Sequence, residues 1–175
     1  MSHTDASGPA RTDPTAALIA RLTERGLTLA VAESLTGGAL TAELTRPAGA
    51  SAVVLGGVVV YATELKHTIV GVDAALLAEH GPVHPEVARQ LARGVRSALA
   101  VGSRPVDVGI ATTGVAGPDG QGGRAPGTVF VGISHGDVND AVELALTGTR
   151  VQIRARTVDA AVELLIERLA VGPTE

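Results

Sequence analysis

Among 175 residues there is one phenylalanine, one tyrosine, no tryptophan and no cysteine, although 45% of the chain is hydrophobic. Phe130 and Tyr61 cannot carry a core between them, and without cysteine no disulfide can reinforce one. The chain must therefore bury Ala, Val and Leu in a close-packed aliphatic interior, and its length suits one domain with such a core. The lack of cysteine also removes thiolate nucleophiles, CxxC redox pairs and thiolate zinc sites, so hydrolytic chemistry here needs a hydroxyl, an amine or metal-bound water.

The apolar residues fall into two periods. Ala17, Leu18 and Leu22 follow Pro14 at helical spacing, and Gly26 stands where a left-handed cap ends a helix. The run 27–32 is apolar without a charge and reads as a strand covered on both faces. A helix is expected over 36–45, a second strand over 53–61, and a short helix from Thr63. Pro85 suits a first helical position, with Val87, Leu91, Val95 and Leu99 as one stripe. Strands are expected over 106–111, 128–133 and 141–146, the last two joined as a hairpin across His135, Gly136 and Asp137. The final helix spans about 150–169. This alternation predicts an α/β domain, a three-layer αβα sandwich around a mixed, mostly parallel sheet, occupying residues 14–175. Residues 1–13 are small and polar and read as a mobile tail with no signal-peptide core.

A net charge of −4 disfavours a polyanion, and two aromatic residues cannot form the stacking row of a single-strand binder; nucleic acid is not an expected partner. The apolar run 52–60 is too short to span a bilayer, which predicts no membrane partner and a cytoplasmic protein.

Ser34 follows a buried strand and precedes a helix, beside Gly37 and Gly38, whose amides a ligand can approach. The arrangement fits a nucleophile with an oxyanion site; it also fits Ser34 or Thr36 as a simple N-cap, the commoner role of Ser and Thr before helices. The pattern is not a GxSxG elbow, and no convincing His and Asp partners follow. Lys66, near the start of a short helix, is either a solvated surface lysine or an amine that burial and the helix dipole keep partly neutral, able to accept a serine proton. Tyr61 either packs in the core or turns its hydroxyl to the same pocket. The stretch 112–127, rich in Gly and Pro and containing Thr113 and Gly114, is long enough to imply a function, yet lacks the P-loop and Rossmann spacings. Arg150 and Arg154, four apart, fit an anion site or a solvated face. His80 and His84 have helical spacing, but Gly81 and Pro82 break any shared helix; no metal is expected, and His84 borders the helix that follows.

Taken together, Ala32-Glu33-Ser34-Leu35-Thr36-Gly37-Gly38, Tyr61 with Lys66, and Thr113-Gly114-Val115-Ala116-Gly117-Pro118-Asp119-Gly120 resemble the CinA C-terminal domain family. The likeness continues through Gly127-Thr128-Val129 and Gly148-Thr149-Arg150, in the same order. The resemblance implies a nicotinamide-nucleotide amidase that converts nicotinamide mononucleotide, or a similar small nucleotide, to the nicotinate nucleotide and ammonia without a cofactor. It implies Ser34 as nucleophile, Lys66 as general base and Tyr61 as a neighbouring hydroxyl. Gly37 and Gly38 would line the oxyanion region, Thr36, Thr113 and Gly114 would belong to the substrate site, and Arg150 would hold phosphate. A homodimer or larger homo-oligomer is also expected. Many relatives carry Cys at Leu35, Asn at Thr63 and Ser at His84, and many have an N-terminal pyrophosphatase-like domain, for which this chain is too short. The departures motivate a rival reading, an inactive nucleotide-binding or competence-associated adaptor.

Overall fold

Asp13 accepts the N–H groups of Thr15 and Ala16 and so caps helix α1 (Pro14–Glu24), whose first residue is a proline that has no N–H to lose. Gly26, at φ +62°, ends the helix in the left-handed conformation expected of it. The computed structural model describes residues 13–170. Of the tail expected over 1–13 only Asp13 is among the described residues; residues 1–12 and 171–175 lie outside them. Asp13, placed in that tail, instead belongs to the domain.

After α1 come β1 (Leu29–Glu33), α2 (Ala39–Thr45), a 3₁₀ turn at Ala50–Ala52, β2 (Val54–Val59) and α3 (Thr63–Thr68). Then follow α4 (Ala74–His80), α5 (Pro85–Ala98), β3 (Val108–Gly114), β4 (Thr128–His135), β5 (Val138–Ala145) and α6 (Arg150–Ala170). The strands form one sheet in the order β2-β1-β3-β4-β5. β1 is parallel to β2 and β3, while β4 is antiparallel to both β3 and β5, so β4 alone runs against the other strands. The sheet is mixed and mostly parallel, as the alternation of elements predicts.

Period-two alternation divides the core into two layers. Leu29, Val31, Val108, Ile110, Val131 and Ile133 face α1, α2 and α6. On the other face Ala30, Ala32 and Ala111 meet α5 and the segments around Val60 and Val70. That second face is built from small residues, and its glycines let α5 approach the sheet backbone. A Cβ at Gly109 would lie 1.9 Å from the Ala92 carbonyl oxygen, and one at Gly132 would lie 2.1 Å from that of Ala88.

Several element ends depart from the sequence expectation, and one helix is additional. β3 runs on through Thr112, Thr113 and Gly114, expected in the loop, because these residues pair with Val131, Phe130 and Val129 of β4. β5 starts at Val138, straight after the turn at Gly136 (φ +56°). The helix α4 was not expected; Asp73 caps it through the Ala75 N–H and Gly81 closes it.

Candidate active site

β1, β2 and β3 all end at the same edge of the sheet, and the connections leaving β1 and β2 pass over opposite faces, α2 on one and α5 on the other. A crevice opens where connections diverge in this way. It is lined by Ser34, Tyr61, Lys66, Thr113, Gly114 and Arg150, together with the start of the loop after β3. Ser34 comes from the end of β1, Tyr61 and Lys66 from the junction of β2 and α3, Thr113 and Gly114 from the end of β3, and Arg150 from the first residue of α6.

Lys66 is only 1% exposed and is among the largest fully buried side chains described. Its Nζ lies 3.2 Å from Ser34 Oγ and donates to the carbonyls of Val60 at 2.8 Å and Tyr61 at 3.4 Å. Burial, which penalises the ammonium form, pulls its pKa from 10.5 to about 8. Of the two readings that the sequence leaves open, the solvated surface lysine is therefore wrong. Ser34 is itself buried but reaches the crevice.

Tyr61 is 59% exposed, so it is not a core tyrosine. Its hydroxyl accepts from Arg150 Nη2 at 3.0 Å, and Arg150 Nη1 donates to the Gly117 carbonyl at 2.9 Å. The two side chains thus meet across the mouth of the crevice. Thr113 donates its hydroxyl to the Pro82 carbonyl at 2.6 Å, which ties the end of β3 to the segment before α5.

Three expected site residues do not face the crevice. The Thr36 hydroxyl, fully buried, is hydrogen-bonded to the Thr112 hydroxyl at 2.8 Å and cross-links the serine turn to β3. The Gly37 N–H donates to the Ser34 carbonyl at 3.1 Å, and the Gly38 N–H donates to Glu33 Oε2 at 2.9 Å. Both amides are occupied, so the expectation that they bind an oxyanion is corrected. The two glycines serve conformation instead, at φ +59° and +95°.

Glu33, not among the expected site residues, frames the serine turn. This wholly buried side chain accepts from the N–H groups of Gly38, Leu40 and Thr41 and from the Thr41 hydroxyl. It satisfies the free amides at the start of α2, the groups assumed to be open to a ligand. A charged residue closing an otherwise apolar strand was the available signal. Arg154, which with Arg150 fits either an anion site or a solvated face in the sequence, does neither and donates to the backbone carbonyls of Leu35 at 2.9 Å and Thr36 at 2.7 Å. His84 does border α5, accepting the Glu86 N–H at Nδ1, and its ring stacks on His80 at 4.6 Å.

Fold and site together define a three-layer α/β domain with a serine and a buried lysine paired at the carboxyl edge of its sheet. The family model for the CinA C-terminal domain matches residues 11–169. The chain is 44% identical over 149 residues to a CinA-like protein of Frankia casuarinae, covering 85% of this chain and 33% of that one. It is 45% identical over 159 residues to a CinA-like protein of Gemmatimonas aurantiaca, covering 90% and 35%. Among solved structures, a competence-damaged protein (CinA) superfamily protein from Klebsiella pneumoniae superposes with a TM-score of 0.84 at 31% identity, over 90% of this chain and 96% of that one. This chain belongs to the CinA C-terminal domain family, and it spans about a third of the length of these curated relatives.

Proposed function

We propose that this domain hydrolyses the carboxamide of nicotinamide mononucleotide to nicotinate mononucleotide and ammonia through a Ser34 acyl-enzyme. The observation that carries the reading is the 3.2 Å approach of Lys66 Nζ to Ser34 Oγ in buried surroundings. A neutral amine has two hydrogens and one lone pair. The Val60 and Tyr61 carbonyls take the hydrogens, which leaves the lone pair for the Ser34 hydroxyl.

The serine proton passes to Nζ as Oγ bonds to the carboxamide carbon. The C–N bond then breaks while Nζ gives that proton to the departing nitrogen, which leaves as ammonia. Water adds to the acyl carbon, losing its proton to Nζ; the C–Oγ bond breaks and the proton returns to Ser34. Arg150 at the rim suits the substrate's phosphate, and the exposed ring of Tyr61 offers a face to the pyridine. Membership of the CinA C-terminal domain family adds weight to this reading.

Folded protein incubated with nicotinamide mononucleotide should release ammonia and the nicotinate nucleotide in equal amounts, and Ser34→Ala should lose this turnover by orders of magnitude while still binding the nucleotide. Folded wild-type protein that binds the nucleotide and releases no ammonia overturns the proposal in favour of an adaptor.

A further inference from the structure

The turn that carries Ser34 is held by one side chain from outside the sheet. Arg154, half-buried in the first two turns of α6, donates Nε to the Leu35 carbonyl and Nη2 to the Thr36 carbonyl. A Cβ at Gly37 would lie 3.2 Å from Arg154 Nη2, so the guanidinium packs against the turn itself. The helix does not depend on this contact for its own anchorage. Ile153, Thr157, Val158, Ala161, Val162 and Leu165 already bury one face of α6.

An acyl-transfer site needs a donor where the carbonyl oxygen becomes an oxyanion. Gly37 and Gly38 cannot supply it, since their N–H groups are engaged within the turn. The Ser34 carbonyl points inward to accept from Gly37, so in a planar trans peptide the Leu35 N–H points the opposite way, out of the turn. Among the described residues that N–H donates to no acceptor, and Leu35 lines the crevice.

We infer that Arg154 is a positioning residue of this site: its guanidinium fixes the Leu35 and Thr36 carbonyls and thereby holds the Leu35 N–H as the oxyanion donor beside Ser34 Oγ. The inference rests on the acyl-transfer reading. Two carbonyls on adjacent peptides call for two N–H donors in a rigid fork, which lysine lacks.

The test compares Arg154→Lys and Arg154→Ala with wild type on nicotinamide mononucleotide, with thermal melting as the check on folding. Both variants should lose roughly 100-fold in kcat with KM unchanged, because a nucleophile turn misplaced by about 1 Å costs that much. The pH at which activity rises should stay at its wild-type value, since Lys66 is untouched. Added guanidinium ion should restore part of the kcat of Arg154→Ala, and methylammonium should not. An unchanged kcat, a loss confined to KM, or a variant that melts like wild type and does not respond to guanidinium overturns the inference. If Arg154→Ala does not fold, Arg154→Lys decides through its split between kcat and KM. If wild type releases no ammonia, the amidase reading fails separately. The rate at which a fluorophosphonate labels Ser34 then reads the inference alone: slower labelling of Arg154→Lys supports it, and equal labelling overturns it.

Discussion

A lysine that the fold keeps out of water sets the chemistry at the residue scale. Lys66 is hydrogen-bonded to two carbonyls and a hydroxyl, none of which stabilises the ammonium as a carboxylate would. With a pKa of about 8, roughly one molecule in ten carries the neutral amine at pH 7. Arg150 is the opposite case, exposed at the crevice mouth and donating to two uncharged acceptors. Its charge meets no carboxylate among the described residues, so an incoming phosphate can compensate it. Arg150→Ala should raise KM for nicotinamide mononucleotide by roughly ten- to a hundredfold, as expected for losing a charged hydrogen bond, and leave kcat close to wild type. Initial rates with the phosphate-free nucleoside should show no such difference between the two proteins.

At the scale of elements, most strands and helices are legible because aliphatic periodicity marks them. The apolar stripe of α5 and the uninterrupted run of β1 needed no tertiary information. What was not legible depends on contacts between distant segments. The last residues of β3 read as loop because Thr112, Thr113 and Gly114 lead into a Gly- and Pro-rich stretch; threonine suits a strand, but the pairing with β4 that extends it is not visible locally. The helix α4 is short and was not expected, although Asp73 and Gly81 mark its ends. The glycines at the start of α2 fit amides open to a ligand, and Ser34 or Thr36 fits a simple N-cap. Glu33 reaches back from β1 to occupy those amides, and no local rule tells which side chain will fill a helix end from outside it. Ser34, Tyr61 and Lys66 were identified in the sequence, but their meeting at one crevice, and Arg154's turn away from Arg150, depend on how the sheet places its strand ends.

For the whole molecule, the buried amine couples folding to pH. Its pKa is about 8 in the folded chain and 10.5 as the ordinary value, so between these the folded state binds fewer protons than the unfolded state. Stability therefore rises with pH across that window, and the burden on the fold is greatest below pH 8. Relative to Lys66→Met, wild type should gain on the order of 3 kcal/mol between pH 8 and 10.5, measured by denaturant unfolding at each pH. A parallel response of the two proteins would mean that the amine is solvated. The measurement closest to the central claim is the pH dependence of kcat/KM for ammonia release from nicotinamide mononucleotide. A neutral Lys66 that deprotonates Ser34 predicts a rate rising tenfold per pH unit and levelling off near pH 8. A rate flat from pH 6 to 9, or one that survives Lys66→Met, would contradict it.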